Sequence, residues 1–303
     1  MERIRTSAAK AKAYLKTHKR ARIAVILAAA LLVLFAVLHP YGSKTYLILG
    51  VDNYGSLDET GRSDVTMLVQ VDFTRTKISA VTFARDMFIE GENGRLTKIN
   101  TVIRNQDEAA LCRAIEQNFG VAIDGWFRVN FSSVVQLVDA IGGAQVELTD
   151  AEVNYINRIA GKYPESPLKE GLSRLNGAQA LTYARCRKLD NDMGRGQRQN
   201  KLLAAMVQQT KHMTAANIVS VFRSLNHMWR SSLSGAEQAG LLVKALWLRG
   251  AQVERIGMPF EDTWTYGSAG GASGVEANLP KNRALLLEAL GLPAPKETPE
   301  PSK

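Results

Sequence analysis

From Thr45 onward the chain alternates short apolar runs with polar turns, a rhythm of strands, and later gives way to apolar positions spaced three and four apart, a rhythm of helices. Tyr46–Val51 is an apolar run bounded by Gly50 and a polar loop and reads as a buried strand. Val65–Phe73 is a second strand, Thr74–Lys77 a turn, and Ile78–Phe83 a third strand. Paired as an antiparallel meander, these three place Asp52, Asp64 and the Arg85-Asp86 pair at one end of the sheet. Asp107–Phe119 carries apolar residues at Leu111, Ile115 and Phe119, with Gly120 as a stop. Ser132 is read as the cap of a helix to Ile141, closed by Gly142-Gly143, and Gly125–Phe131 and Ala144–Leu148 as strands. Thr149–Glu170, polar and with two prolines, reads as a variable excursion. Asn176–Leu181 reads as a short helix leading into a strand that holds Arg185 and Arg187. A long helix is expected from Gly194 to about Lys211, amphipathic helices at 215–230 and 235–249, a strand at Val253–Met258, and a final helix at Arg283–Leu290 closed by Gly291. Gly267–Gly274 reads as a flexible glycine-rich turn, since it lacks the lysine of a phosphate-binding loop.

Charge changes the picture at the N-terminus. The chain has 303 residues and a net charge of +9. Eight of its 38 basic residues and one of its 29 acidic ones lie in residues 1–22. The remaining 30 and 28 nearly cancel, so the body has no broad electrostatic footprint for nucleic acid. Ile23–Leu38 contains no charged residue and, with its flanks, approaches the ~20 residues that span a bilayer. Basic residues before it place the N-terminus in the cytoplasm. A cleaved signal peptide competes with this reading, but Val37-Leu38-His39 is a poor cleavage site. The expected organisation is a cytoplasmic basic tail at 1–22, a transmembrane helix at 23–42, an extracytoplasmic domain at 43–291 and a disordered tail at 292–303. Cys112 and Cys186 define no disulfide framework.

The chemistry concentrates in residues 182–199. Arg185, Arg187, Arg195, Arg198 and Gln199 lie there beside Asp190 and Asp192. Guanidinium forks match phosphate oxygens in a bidentate way, so several in one segment point to a multiply charged phosphate ligand rather than to a solvated surface. On a strand Arg185 and Arg187 share a face, and on a helix Arg195 and Gln199 do. Asp52 and Asp64 at one sheet edge suit a hard divalent cation, Mg²⁺ with Mn²⁺ as the alternative, which takes one or two carboxylates and completes its shell with water and phosphate. Either aspartate is equally compatible with a turn or strand-start role. Arg62 falls at the same edge. Arg85-Asp86 is either a structural ion pair or an arginine that stabilises charge on a transferring phosphoryl group, with the carboxylate orienting it. The Gly-x-Ser-x-Gly, His-Glu-x-x-His and Walker-type motifs are missing from the sequence.

The ordered segments Leu49-Gly50-Val51-Asp52, Arg62-Ser63-Asp64, Ala84-Arg85-Asp86, Lys98-Ile99-Asn100, Leu137–Gly143, Asn176–Arg187 and Gly194–Gln199 together resemble the LytR-CpsA-Psr family of bacterial cell-wall proteins, across roughly residues 45–210. The resemblance implies an α/β fold with a central mixed sheet flanked by helices, preceded by one N-terminal transmembrane helix, and a groove for a polyprenyl chain. It implies transfer of a glycopolymer, such as teichoic acid or capsule, from a polyprenyl-pyrophosphate carrier to the 6-hydroxyl of N-acetylmuramic acid in peptidoglycan, assisted by Mg²⁺. Carried over by position, Asp52 and Asp64 hold the metal. Arg62, Arg185, Arg187, Arg195, Arg198 and Gln199 bind the pyrophosphate, and Arg85, Asp86 and Asp192 serve catalysis. Asp192 either orients arginines or acts as the base. Two positions depart from the family pattern: Asn53-Tyr54 where a basic residue is common, and Ala84 where proline is usual. The expected partners are the lipid-linked glycan, peptidoglycan and the membrane, without nucleic acid. A polyprenyl-pyrophosphate hydrolase and a non-catalytic membrane-bound regulator are the competing functions.

Overall fold

The computed structural model describes residues 41–51, 63–160, 167–186, 189, 192–225 and 227–293. The expected membrane helix, Asp52, Arg62, Arg187 and most of the C-terminal tail lie outside these residues. Among the described residues no helix is long and apolar enough to cross a membrane.

The first half of the chain carries β1 (Ser43–Val51), β2 (Ser63–Asp72), β3 (Lys77–Phe83), β4 (Phe88–Glu90), β5 (Leu96–Lys98), α1 (Ile99–Asn105), α2 (Glu108–Phe119), β6 (Gly125–Val129), α3 (Phe131–Ala140), β7 (Ala144–Leu148) and α4 (Asp150–Ala160). The second half carries β8 (Gly171–Leu175), α5 (Gly177–Ala184), α6 (Asp192–Gln209), α7 (Ala215–Leu225), β9 (Trp229–Ser231), α8 (Gly235–Ala245), β10 (Gln252–Met258), β11 (Trp264–Ala269), β12 (Ala272–Ala277) and α9 (Leu279–Ala289).

The β1–β2–β3 meander forms as the apolar runs predict, with both pairings antiparallel. β6 then joins β1 in parallel and β10 joins β3 in parallel, giving a six-stranded mixed sheet in the order β10-β3-β2-β1-β6-β9. It follows that β1, β3, β6 and β10 all point the same way. Their C-terminal ends form one edge with the start of β2. In open α/β sheets this is the edge where ligands bind.

Alternation along the strands sorts side chains onto two faces. Leu47, Leu49, Leu68, Val81 and Phe83 pack against α1, α2 and α9 and make the largest core. Asp107 caps α2 by accepting from Ala110 N, and Gly120, at φ 69°, ends it in a left-handed turn that other residues resist. Arg128 of β6 donates to Glu108 at 2.8 Å within this layer, with both side chains nearly buried. Tyr46, Val71 and Ile78 face the other way, toward Val207, Leu233, Leu241 and Leu248. That second face is incompletely covered. Ile48, Val69 and Phe127 are only partly buried although they sit on central strands, and α7 and α8 together bury one residue fully, Leu225.

A third core gathers α3, α4, α5 and the β7–β8 hairpin around Val138, Leu148, Ile156, Leu175 and Tyr183. α6 reaches it through Leu202 and joins it to the main sheet. At Gly177 the first turn of α5 comes so close to α3 that an added Cβ would lie 2.2 Å from the Val135 carbonyl oxygen.

Several elements differ from the pattern-based expectations. The cap of α3 is Asn130, two residues before Ser132, because Asn130 and Ser133 form a reciprocal capping box. Thr149 and Glu152 exchange hydrogen bonds and start α4 inside the supposed excursion. The Gly267–Gly274 stretch is part of the β11–β12 hairpin, in which Gly267 and Gly274 face each other in register and Gly270-Gly271 make the turn. β9 is three residues long and lay hidden inside a helical periodicity.

Candidate active site

The meander brings two of the singled-out residues together. Asp64 is the second residue of β2, and Arg85 follows the end of β3 by two. The Arg85 Nε lies 3.2 Å from Asp64 Oδ1, with both side chains largely buried. This Nε makes no hydrogen bond among the described residues. The contact therefore neutralises charge while leaving the guanidinium N–H groups free to address another oxygen. The neighbouring Asp86 turns to the other layer. Its Oδ1 accepts from Asn100 Nδ2 at 3.2 Å, and its carbonyl accepts from Val275 N of β12 at 3.0 Å. Asn100 is 2% exposed, and its Oδ1 is buried without a partner among the described residues. Sequence reading gave Asn100 no role. Its place in a Lys-Ile-Asn segment at a helix start was the available signal.

The arginine-rich segment is built differently from the expectation. Arg185 stands at the C-cap of α5, with φ −95° and ψ −3°, and not on a strand. The Asn176–Gln179 capping box starts a helix that the Thr182-Tyr183 pair does not stop, so the face-sharing argument for Arg185 and Arg187 fails. Arg185 instead lies with its Cζ 3.9 Å from the centre of the Phe131 ring. Phe131 opens α3 directly after the C-terminal end of β6, so this stacked guanidinium belongs to the same sheet edge as Arg85. Stacking on the ring holds the plane of the Arg185 fork.

α6 starts at this edge. Gly196 packs on Thr82 near the end of β3, where an added Cβ would lie 3.2 Å from Thr82 Cγ2. At the far end Gln208 donates to the carbonyl of Ala251, just before β10. The helix thus runs antiparallel to β3 and β10, and its N-terminal dipole end adds positive potential at the site. Arg195 and Arg198 of its first turns are 5% and 4% exposed. Arg198 Nη2 donates to the Cys186 carbonyl at 2.6 Å, and its Nη1 lies 3.9 Å from Glu152 Oε1. Gln199 Nε2 donates to the Ala184 carbonyl at 3.5 Å. Arg198 and Gln199, grouped with the phosphate ligands on sequence, hold the segment that carries Arg185. Asp192 is the first residue of α6, and its side chain, like Asp52, Arg62 and Arg187, lies outside the description.

The cysteines take no part. Burial, with Glu116 adding to it, pushes the Cys112 thiol up to about 12, and Cys186 is buried beneath the Arg198 contact.

Comparison with known proteins places the chain in a family and a fold. The model of the LytR_cpsA_psr family matches residues 3–277. The chain is 27% identical over 185 residues, 58% of its length and 45% of the relative's, to the polyisoprenyl-teichoic acid–peptidoglycan teichoic acid transferase TagV of Bacillus subtilis. It is 26% identical over 196 residues, 62% of its length and 61% of the relative's, to the transferase TagU of Enterococcus faecalis. The chain spans about half the length of the curated relatives it matches. Among solved structures, B. subtilis TagV aligns with a TM-score of 0.65 at 21% identity, over 84% of this chain and 100% of that one. A LytR-CPS2A-psr family protein, YwtF (TagT), with bound octaprenyl pyrophosphate lipid aligns with a TM-score of 0.62 at 21% identity, over 83% of this chain and 91% of that one. At such identities the structural likeness is one of fold.

Proposed function

The chain belongs to the LytR-CpsA-Psr family, and from that premise we propose that it is a membrane-anchored phosphotransferase that moves a glycopolymer from a polyprenyl-pyrophosphate carrier to peptidoglycan. The observation that carries the reading is the placement of Arg85. It is charge-paired with Asp64 but not hydrogen-bonded, and it stands at the sheet edge where Arg185 and the α6 N-terminus also converge. Such an array suits a pyrophosphate, whose charge must be neutralised for a phosphoryl group to transfer. The names of the relatives and the octaprenyl pyrophosphate in one of the similar structures support the substrate class.

The partly covered sheet face supplies room for the lipid. Ile48, Val69 and Phe127 lie under amphipathic helices that bury almost nothing fully, which is a costly arrangement unless an apolar chain fills it. Ile23–Leu38, ahead of the domain by a few residues, would hold the protein at the bilayer that contains such a lipid.

In the reaction a hydroxyl of the acceptor forms a P–O bond to the glycan-linked phosphorus. The P–O–P bridge breaks, and polyprenyl phosphate leaves with the electron pair. Arg85 and Arg185 stabilise the equatorial and leaving oxygens, and Arg195 adds charge from the start of α6. Asp86, fixed by Asn100, holds the Arg85 segment in place. Asp192, the first residue of α6, is placed either to orient these arginines or to take the acceptor's proton.

The donor set fits Mg²⁺. Asp64 brings one carboxylate, and among the described residues no group of three or more His, Cys, Asp or Glu forms an all-protein cage. Mg²⁺ characteristically binds through one or two carboxylates plus substrate phosphate. Asp64, with Asp52, would hold it, and when bound it supplies further neutralisation of the pyrophosphate.

The test is equilibrium binding of octaprenyl pyrophosphate to the full chain in detergent, with and without Mg²⁺. The reading expects micromolar or tighter binding that Mg²⁺ strengthens and Asp64→Asn weakens. Equal weak binding in all four conditions would rule it out.

A further inference from the structure

A cleft of about 460 Å³ lies between α6 and the outer edge of the main sheet, at the ends of β3 and β10. Ala84 forms part of its wall, so it opens one residue from Arg85. A second cleft of about 380 Å³ lies between α6 and the β7–β8 hairpin. Lys201 of α6 and Arg255 of β10 line both, so the two clefts follow one another along α6 as a trough divided at this pair. The trough runs from Gly196 to Gln209, which is about 20 Å at the helical rise of 1.5 Å per residue. That length suits a linear polymer better than a small molecule.

Its lining has a definite chemistry. Lys201 and Arg255 are exposed and make no hydrogen bond or ion pair among the described residues. They stand at the junction of the two clefts. Glu261 lines the first cleft and Glu147 the second, so a cationic centre is flanked by one carboxylate on either side. The floor near Arg85 is apolar, made by Phe260 and Met258, and stiffened beneath by the buried Asn200. The Asn200 Oδ1 accepts from Thr82 Oγ1 at 2.7 Å, and its Nδ2 reaches the Ile256 carbonyl at 3.4 Å. Apolar floor, scattered hydrogen-bonding side chains and a central cation pair are the features of a groove for a sugar polymer that carries carboxylates.

The trough also lies on the opposite side of α6 from the partly covered apolar sheet face. α6 packs over β3 and β10, whereas Ile48, Val69 and Phe127 belong to β1, β2 and β6. We propose that this trough is the acceptor subsite, that it binds a carboxylate-bearing saccharide chain through Lys201 and Arg255, and that donor and acceptor therefore approach Arg85 from opposite sides of α6. This assignment rests on the transferase reading for the word acceptor, but not for the binding itself.

The test uses the full chain in detergent and a soluble, uncrosslinked peptidoglycan oligomer with free carboxylates, beside the same oligomer with its carboxylates amidated. Binding is measured first without any donor. Wild type is expected to bind the free-carboxylate oligomer at least tenfold more tightly than the amidated one. The Lys201→Ala/Arg255→Ala variant, both positions being exposed, is expected to bind the two alike. In transfer assays the same variant is expected to raise the KM for the acceptor about tenfold and leave the KM for the lipid donor as in wild type. Equal affinity of wild type and variant for the free-carboxylate oligomer would overturn the proposal, and so would a rise in donor KM in place of acceptor KM. If wild type binds the oligomer but ignores polyprenyl pyrophosphate, the trough stands and the transferase reading falls.

Discussion

Arg85 carries its charge 3.2 Å from Asp64 without spending a hydrogen bond on it. Removing a positioned donor aimed at developing charge typically costs about 10²–10³-fold in rate. Arg85→Ala should therefore lower turnover by that order. Arg85→Lys should recover little of it, because an ammonium cannot reproduce the planar fork. Steady-state kinetics of both variants checks this, and a lysine variant near wild-type rate would show that only charge matters. Cys112 behaves in the opposite sense. With burial holding its thiol near 12, almost none is thiolate at neutral pH, so maleimide should label the native protein slowly and the denatured protein fast. Residue types were the most legible part of the site. Asp64 and Arg85 could be placed together because three strands with simple turns fix which ends meet. Asn100 was not legible, since its task is to hold Asp86 from a helix 14 positions away. Nor was the bond from Arg198 to a backbone carbonyl, because an arginine pattern does not reveal what the guanidinium faces.

At the scale of elements, the joints that aim the arginines rest on caps. Asn130 is 6% exposed, accepts from Ser133 N and sits between β6 and Phe131, the ring under Arg185. Asn130→Ala should cost about 1–2 kcal/mol of stability, read as a lower denaturant midpoint, and should weaken pyrophosphate binding with it. A loss of stability with unchanged binding would separate the cap from the site. The helices with caps and glycine stops, α2 above all, were readable because local hydrogen bonds fix their ends. The segment around Arg185 misled because β-branched and aromatic Thr182-Tyr183 favour a strand locally, while the Asn176 capping box and the packing of Gly177 on α3 decide for helix. The β11–β12 hairpin was hidden for a related reason. Its glycines look like a loop, but its register and its bond to Asp86 come from tertiary pairing.

For the molecule as a whole, the mixed sheet follows from two parallel pairings of very different reach. β6 finds β1 across about 80 residues, and β10 finds β3 across about 175. The first reaches over the meander, the β4–β5 pair, α1 and α2. The second depends on the entire intervening lobe, so neither the sheet order nor the trough beside β10 could be read from periodicity. The same architecture separates three regions around Arg85: an apolar face on one side of α6, a polar trough on the other, and an arginine edge between them.

The most direct test of the account is transfer of a radiolabelled glycan from polyprenyl pyrophosphate to peptidoglycan by the full chain in detergent, with Asp64→Asn as control. The account predicts Mg²⁺-dependent label in the peptidoglycan fraction, with one polyprenyl phosphate released per glycan joined, and a loss of about 10²-fold or more in the variant. Label that appears only as free glycan, or transfer that Asp64→Asn leaves intact, would contradict it.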